Sequence, residues 1–326
     1  MTDFAELHDD LRGVARELLG KNPAPSVGVM ADAGWLGLEI PESLGGAGAT
    51  FAETVVILEE LGRVTAATPF LGTVLGVGAL LEVAQNPERD DLLRRVAAGE
   101  TTLAVALADT SPRTRPRKKE QAPSFEGSFD LVVDAPWAAT VLLVVDDHLV
   151  VGDVEVVEQP VLDETRRLGT VTPTGEPRHI WRLAQPEALL RRAALAVTAD
   201  SLGLAEAMVA ATVAYAKERV QFGRPIGSFQ AVKHACADML VATTVSRELL
   251  ATAVASGDAR HAAMAKSHVT SAVVDVVGKA LQLHGGIGYT WESGIHRYLK
   301  RAMLNRDLFG SPQAHRATLI TERSLS

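Results

Sequence analysis

Between two long apolar stretches, residues 219–230 read "RVQFGRPIGSFQ". Arg219 ends the preceding helical run with a permanently charged fork. Gly223 and Gly227 permit tight backbone geometry, and Pro225 stiffens it. Two helices need only a short polar loop to join them, so Phe222 and Phe229 around these glycines call for another explanation. The combination suits a phosphate. The plainer alternative is that Arg219 caps the carbonyl end of its helix while the aromatics seal the end of a bundle. Residue types alone leave both open.

Other chemistry is sparse. Cys236 is the single cysteine, so no intramolecular disulfide is possible, and its apolar helical surroundings suggest a small buried hydrophobe. This fits a reducing cytoplasm. His261 and His268 could share a helix face, but no acid or thiol cluster accompanies them, and no metal site is expected. The glycines of "GTVLGVG" at 72–78 lack the strand and acid of a dinucleotide fold and read as close helix packing. No Gly-x-Ser-x-Gly nucleophile turn occurs. Lys+Arg 32 against Asp+Glu 40 gives a net charge of -8, and the one dense basic run, "RTRPRKKE" at 113–120, is broken by Pro116. It reads as a solvated loop, and nucleic acid is not expected as a partner. "MTDFAELHDDLRGVARELL" carries acids where a secretory leader carries positive charge, and no apolar run looks long enough for a membrane span.

The elements that must position these residues fall into three segments. Residues 1–100 read as short helices, "FAELHDDLRGVARELLG", "FAETVVILEELGR" and "ERDDLLRRVAAG", with a 3.6-residue apolar period and terminal glycines. Residues 101–186 change to short runs rich in Val, Leu and Thr: "TTLAVALAD", "SFDLVVDAP", "TVLLVV", "HLVVGDVEVVEQP" and "TRRLGTVTP". These predict an antiparallel β domain, with Trp137 packing among the strands. Residues 187–326 hold four long helical stretches, the last interrupted at "LFGSP". Gly257 and Asp258 mark one boundary, and Val269, Ala272, Val273, Val276, Ala280 and Leu283 form an apolar stripe after it. The fold class is α+β, ordered as a helical domain, a β domain and a helical bundle.

"ERVQFGRPIGSFQAVKHACADM" resembles the main signature of the acyl-CoA dehydrogenase family, and "ALQLHGGIGYTWE" resembles its second, one helix later. "GWLGLEIPESLGGAG" at 34–48 is similar to the family's N-terminal pattern. The resemblance implies the family fold: an N-terminal α-helical domain, a middle antiparallel β domain and a C-terminal four-helix bundle. It also implies FAD as cofactor and an acyl-CoA as substrate. In the family, the first signature reaches across a dimer interface to the pyrophosphate and adenine end of the neighbour's FAD, supported by the second. Carried over, that role falls on Arg219, Gln221, Phe222, Phe229 and Gln230, and then on Gln282, Gly285 and Gly286.

The family's base, which removes the proton alpha to the thioester, departs from this match. The usual position, a glutamate before a Gly-Thr pair, holds Phe309, followed by Gly310 and Ser311; a phenyl ring accepts no proton. The alternative position, on the helix before the first signature, holds Ala193. The flavin-loop motif of the β domain is also missing, with "ALADTSPRTRPRKKEQAP" in its place. Ser311 and Pro312 instead make a good helix start.

The chain therefore resembles the short, base-lacking subunit of actinobacterial heteromeric (α2β2) acyl-CoA dehydrogenases of steroid degradation. Its expected partners are an unlike, base-bearing subunit and an electron-acceptor flavoprotein. Two alternatives stand beside this reading. One is a homo-oligomer with its base relocated to Glu292, Asp307 or Glu206; the other is a flavin-free scaffold protein.

Overall fold

The computed structural model describes residues 2–107 and 127–323. The basic run and most of the stretch at the flavin-loop position lie outside them. The N-terminal helices are α1 (Thr2–Lys21), α2 (Val27–Asp32), α3 (Phe51–Arg63), α4 (Phe70–Leu81) and α5 (Pro87–Ala97). The strands follow: β1 (Leu103–Leu107), β2 (Phe129–Val133), β3 (Thr140–Val145), β4 (His148–Val151), β5 (Val154–Gln159), β6 (Leu168–Pro173) and β7 (His179–Arg182). Then come α6 (Pro186–Glu218), the short strands β8 (Val220–Gln221) and β9 (Arg224–Pro225), α7 (Gln230–Ser256), α8 (Ala259–His284), α9 (Ile295–Asp307) and α10 (Pro312–Arg323).

These elements form two compact units whose boundaries cross the three consecutive segments. One unit takes residues 1–23, 55–66 and 194–326, and the other takes 24–54 and 67–193. The first unit thus draws α1 and most of α3 to the C-terminal helices. Its core is the stripe expected on α8, where Val269, Val273, Val276 and Ala280 pack with Leu204, Met208 and Met239. The Gly257–Asp258 boundary is as expected: Gly257 has φ +66°, and Asp258 Oδ1 accepts from the His261 N–H at 2.7 Å.

Within this unit, α3 and α6 touch backbone to backbone. A Cβ on Gly203 would lie 1.9 Å from the Glu59 carbonyl oxygen, and one on Gly62 would lie 2.1 Å from that of Asp200. Beside this crossing, Glu59, Glu60 and Glu206 are ringed by Arg12, Arg16, Arg63 and Arg247, and burial raises the Glu59 carboxyl despite these cations. Gly203→Ala should lower stability by about 1–3 kcal/mol, because no flexible side-chain end is available to yield. Gly13→Ala on α1, where an added methyl meets nothing, should be neutral or slightly stabilising. Thermal unfolding of both variants checks the contrast, and equal melting temperatures would refute it.

α6 is long and apolar enough to cross a membrane by length and composition, contrary to the reading of the sequence. Yet 78% of its most apolar window is buried within the protein, as in a core helix.

The second unit stacks α4 against two sheets. Residues 70–80 are all buried, and the glycines of the "GTVLGVG" stretch make this possible. A Cβ on Gly76 would lie 2.5 Å from Leu103 Cβ, and the Gly72 N–H donates to Asp134 Oδ2 at 2.7 Å. The four-stranded sheet has the order β1-β3-β4-β7 and the three-stranded sheet β2-β6-β5. Ala104, Ala106, Val132, Val141, Leu143, Val150 and Val171 fill the core between them. All pairings are antiparallel except β1 with β3, which run parallel from Leu103↔Thr140 to Leu107↔Val144. The domain is antiparallel as expected but for this one pair among the described residues. The chain leaves β1 and contributes β2 to the other sheet before it returns, so β3 re-enters in the same direction.

"HLVVGDVEVVEQP" divides at Gly152–Asp153 into β4 and β5, one in each sheet. Trp137 sits, half-buried, in a 3-10 turn between β2 and β3 that packs against β5 and β6, with the Arg167 guanidinium 5.9 Å from its ring centre.

Candidate functional site

The corner at residues 219–230 lies in the first unit. α6 ends at Glu218, and the chain turns back through a hairpin in which Val220 pairs with Pro225 and Gln221 with Arg224. The two residues of the turn, Phe222 and Gly223, have φ +53° and +76°. Such a tight turn needs positive φ at both central positions, which glycine accepts freely and phenylalanine only with strain. Phe222 is 91% exposed, so the strain holds an aromatic ring out into solvent. The hairpin is fastened to the helix by the Ile226 N–H donating to the Arg219 carbonyl at 2.8 Å. It is also fastened at Gly227, where a Cβ would lie 2.9 Å from the Ala216 carbonyl oxygen.

Against this corner stands the end of α8. Gly285 follows it at φ +60°, ψ -142°, a conformation open in practice only to glycine, and its N–H donates to the Gln282 carbonyl. A Cβ on Gly285 or Gly286 would meet no neighbouring atom, so the backbone there is bare to an approaching group. A cavity of about 300 Å³ opens between the two ends, lined by Arg219, Gln221, Gly285 and Gly286 together with Tyr215 and His284. The Arg219 guanidinium has no ion pair or hydrogen bond among the described residues. An unpaired guanidinium and bare glycine backbone lining one cavity of this size fit the phosphate end of a dinucleotide.

Of the eight residues assigned from the signatures, four line this cavity and four do not. Phe222 meets the Phe229 ring edge-on at 6.1 Å, and the Arg224 guanidinium lies 4.2 Å over the face of Phe229. Gln230 is exposed in the first turn of α7. Gln282 is exposed too, its Oε1 accepting from Lys279 Nζ at 3.2 Å. Tyr215, His284 and Arg224 escape the reading of the sequence, although Tyr215 lies one helical turn before Arg219.

Phe309 lies between α9 and α10 at φ +57°, half-buried, followed by Gly310 at φ +99°. The turn is held from below. His315 Nε2 lies 3.0 Å from the Phe309 carbonyl oxygen, and Ser311 caps α10 by accepting from the Ala314 N–H at 3.3 Å. Lys266, fully buried, donates to the carbonyls of Asn305 and Arg306 at 2.7 and 3.0 Å. Burial pushes the Lys266 ammonium down to about 7.

The folded chain therefore releases this proton above about pH 7, where the unfolded chain keeps it up to the ordinary 10.5. Stability should accordingly rise with pH across that window. Lys266→Met should flatten the rise; unfolding curves at pH 7 and pH 9 that shift equally in both proteins would refute this.

The alternative positions for a base are paired, exposed or apolar. Glu206 is clamped by Arg63 and Arg247. Asp307 is exposed beside Arg306 at 3.4 Å, Glu292 is exposed in a 3-10 turn, and Ala193 is fully buried. Cys236 is half-buried, which corrects the expectation of a core residue, since its face of α7 is largely open; partial burial raises its thiol above the ordinary range. Among the described residues, no grouping of His, Cys, Asp and Glu could hold a metal ion.

Comparison with known proteins gives matches at both ends of the chain. Residues 6–100 match the family model "Acyl-CoA dehydrogenase, N-terminal domain", and residues 181–324 match "Acyl-CoA dehydrogenase, C-terminal domain". The chain is 35% identical over 277 residues to acyl-CoA dehydrogenase IpdE2 of Mycolicibacterium smegmatis, covering 85% of this chain and 80% of that protein. Among solved structures it is similar to the Tcur3481-Tcur3483 steroid ACAD G363A variant, with TM-score 0.88, 27% identity and coverage of 99% of both chains. It is also similar to the ChsE4-ChsE5 complex from Mycobacterium tuberculosis, with TM-score 0.86, 25% identity and coverage of 98% of this chain and 97% of that one.

Proposed function

The chain belongs to the acyl-CoA dehydrogenase family, and from this we propose that it is the base-lacking subunit of a cytoplasmic, heteromeric acyl-CoA dehydrogenase. In this reading it pairs with an unlike, base-bearing subunit as an α2β2 heterotetramer and lends its signature residues to FAD held across the interface. The observation that carries the proposal is an open cavity with an unpaired Arg219, and it is supported by the resemblance, which puts Phe309, a phenyl ring, at the position of the family's carboxylate.

When bound, FAD supplies the hydride acceptor for oxidation of an acyl-CoA to its 2,3-enoyl-CoA. This chain's residues bind and orient. Arg219 meets phosphate charge with its two-point fork, and Gly285 and Gly286 let phosphate oxygens reach the backbone. Gln221 borders the same space, while Phe222 offers an exposed flat apolar face on the turn and Phe229, covered by Arg224, packs behind it. Phe309 can hold no proton, so removal of the alpha proton falls to a carboxylate of the partner. Similarity to a steroid acyl-CoA dehydrogenase supports a bulky, steroid-derived acyl group. In this reading an electron-acceptor flavoprotein would reoxidise the bound FAD.

The test is the flavin absorbance and native mass of the chain purified alone, compared with the chain co-expressed with a base-bearing partner. The expected result is a colourless protein alone and a yellow hetero-oligomer with one FAD per unlike pair. A yellow homo-oligomer with one FAD per chain would overturn the proposal. Phe309→Glu in the chain alone should produce no dye-linked oxidation of acyl-CoA substrates, since a restored carboxylate would face no complete flavin site. Turnover by that variant alone would show that this chain holds a working site of its own.

A further inference from the structure

Two further residues line the cavity, Tyr215 and His284, and they contact each other. Tyr215 precedes Arg219 by one turn of α6 and so shares its face. Its ring stacks on that of His284, with centroids 4.5 Å apart and planes 22° from parallel, and its hydroxyl donates to the His284 carbonyl at 3.4 Å. His284 is buried, with Nδ1 2.8 Å from the Ala280 carbonyl oxygen. A carbonyl only accepts, so Nδ1 carries the proton and the orientation of the ring is fixed. The next residue is Gly285, with its glycine-only backbone. Beyond it, Gly288 packs so closely that a Cβ would lie 2.7 Å from the Leu281 carbonyl oxygen. The stack therefore joins the turn that carries Arg219 to the residue from which the bare glycine backbone departs.

We propose that Tyr215 and His284 are positioning residues of this site: their stack sets the spacing between the Arg219 guanidinium and the Gly285–Gly286 backbone so that both meet one phosphate. The inference rests on the reading of the cavity as the phosphate end of an FAD site. Arg219 is exposed at a helix end, where backbone groups lack helical partners and the last turn frays unless it is held. A turn fixed before the ligand arrives leaves less of the chain to be ordered on binding, and the stack holds the turn from which the Arg219 side chain extends.

The test titrates the flavin-depleted heteromeric complex with FAD and follows flavin fluorescence. Tyr215→Leu should weaken FAD binding about tenfold. Tyr215→Phe, which keeps the stack, should stay within about threefold of the parent. His284→Ala removes the other ring and should match Tyr215→Leu, so the pair is tested even if one variant fails to assemble. In an Arg219→Ala background, Tyr215→Leu should add less than about a twofold loss, because its effect passes through Arg219. An equal loss in both backgrounds would reduce the stack to general packing and overturn the inference. Parent-like affinity in Tyr215→Leu and His284→Ala, beside weakened Arg219→Ala, would overturn it while leaving the phosphate reading standing. Parent-like affinity in Arg219→Ala would remove the phosphate reading itself.

Discussion

Asp200→Ala is expected to destabilise the protein by about 3–5 kcal/mol, more than the loss expected of Gly203→Ala one turn along the same helix. Asp200 is fully buried and Arg301 is 1% exposed. The two pair in two-point fashion, with Nε to Oδ2 at 3.0 Å and Nη2 to Oδ1 at 2.6 Å. Arg301 Nη1 donates to the Ala66 carbonyl at 2.7 Å, and Asn305 Nδ2 donates to Asp200 Oδ2 at 2.6 Å. The network thus ties α6 to α9 and to the residues just after α3. Removing the carboxylate takes the two-point partner away from a buried guanidinium, and the methyl that replaces it accepts no hydrogen bond. Replacing both partners with apolar residues, Asp200→Leu with Arg301→Met, should recover much of the loss, because no uncompensated charge remains. Denaturant midpoints measure both. A loss below about 1 kcal/mol for Asp200→Ala would mean that water reaches Arg301.

Arg219→Ala should lower FAD affinity of the heteromeric complex by roughly 30-fold or more, the worth of a charge-assisted pair of hydrogen bonds to phosphate. Stability should barely change, because the side chain is exposed and has no partner among the described residues. This separation of effects distinguishes a ligand-facing arginine from a helix cap. Arg219→Lys should fall between the two, since an ammonium keeps the charge but not the planar fork. Flavin content after gel filtration, beside the melting temperature, gives both quantities. Full FAD occupancy with a lowered melting temperature would restore the capping role.

Helix positions were legible in the sequence because their signals are local. The stripe on α8, the Gly257–Asp258 boundary and the Ser311 cap depend on residues within one or two turns of each other. The parallel pairing of β1 with β3 was not legible. "LAVAL" and "TVLLVV" are continuous apolar runs with no alternation to show which strand lies beside them. β7, "HIWR", was too short and too polar to stand out. At the site, Arg219 and the Gly285–Gly286 pair announce themselves by residue type. Tyr215 and His284 do not, since aromatic residues in helices usually serve the core; only the folded chain brings together two rings 69 positions apart. The buried charges at Lys266 and Asp200 were hidden for the same reason, because their partners lie 39 and 101 residues away.

The interleaving of the two compact units has a consequence for synthesis. Residues 24–54 and 67–193 complete one unit before much of the chain has been made, whereas the other unit begins with α1 and closes only with the last helices. As the chain emerges from the ribosome, Arg12 and Arg16 of α1 and Glu59 and Glu60 of α3 must wait for Glu206 and Arg247 before their charge cluster is whole. One unit can thus fold vectorially during translation, while the unit that carries the Arg219 cavity folds only after α6 to α10 have been made.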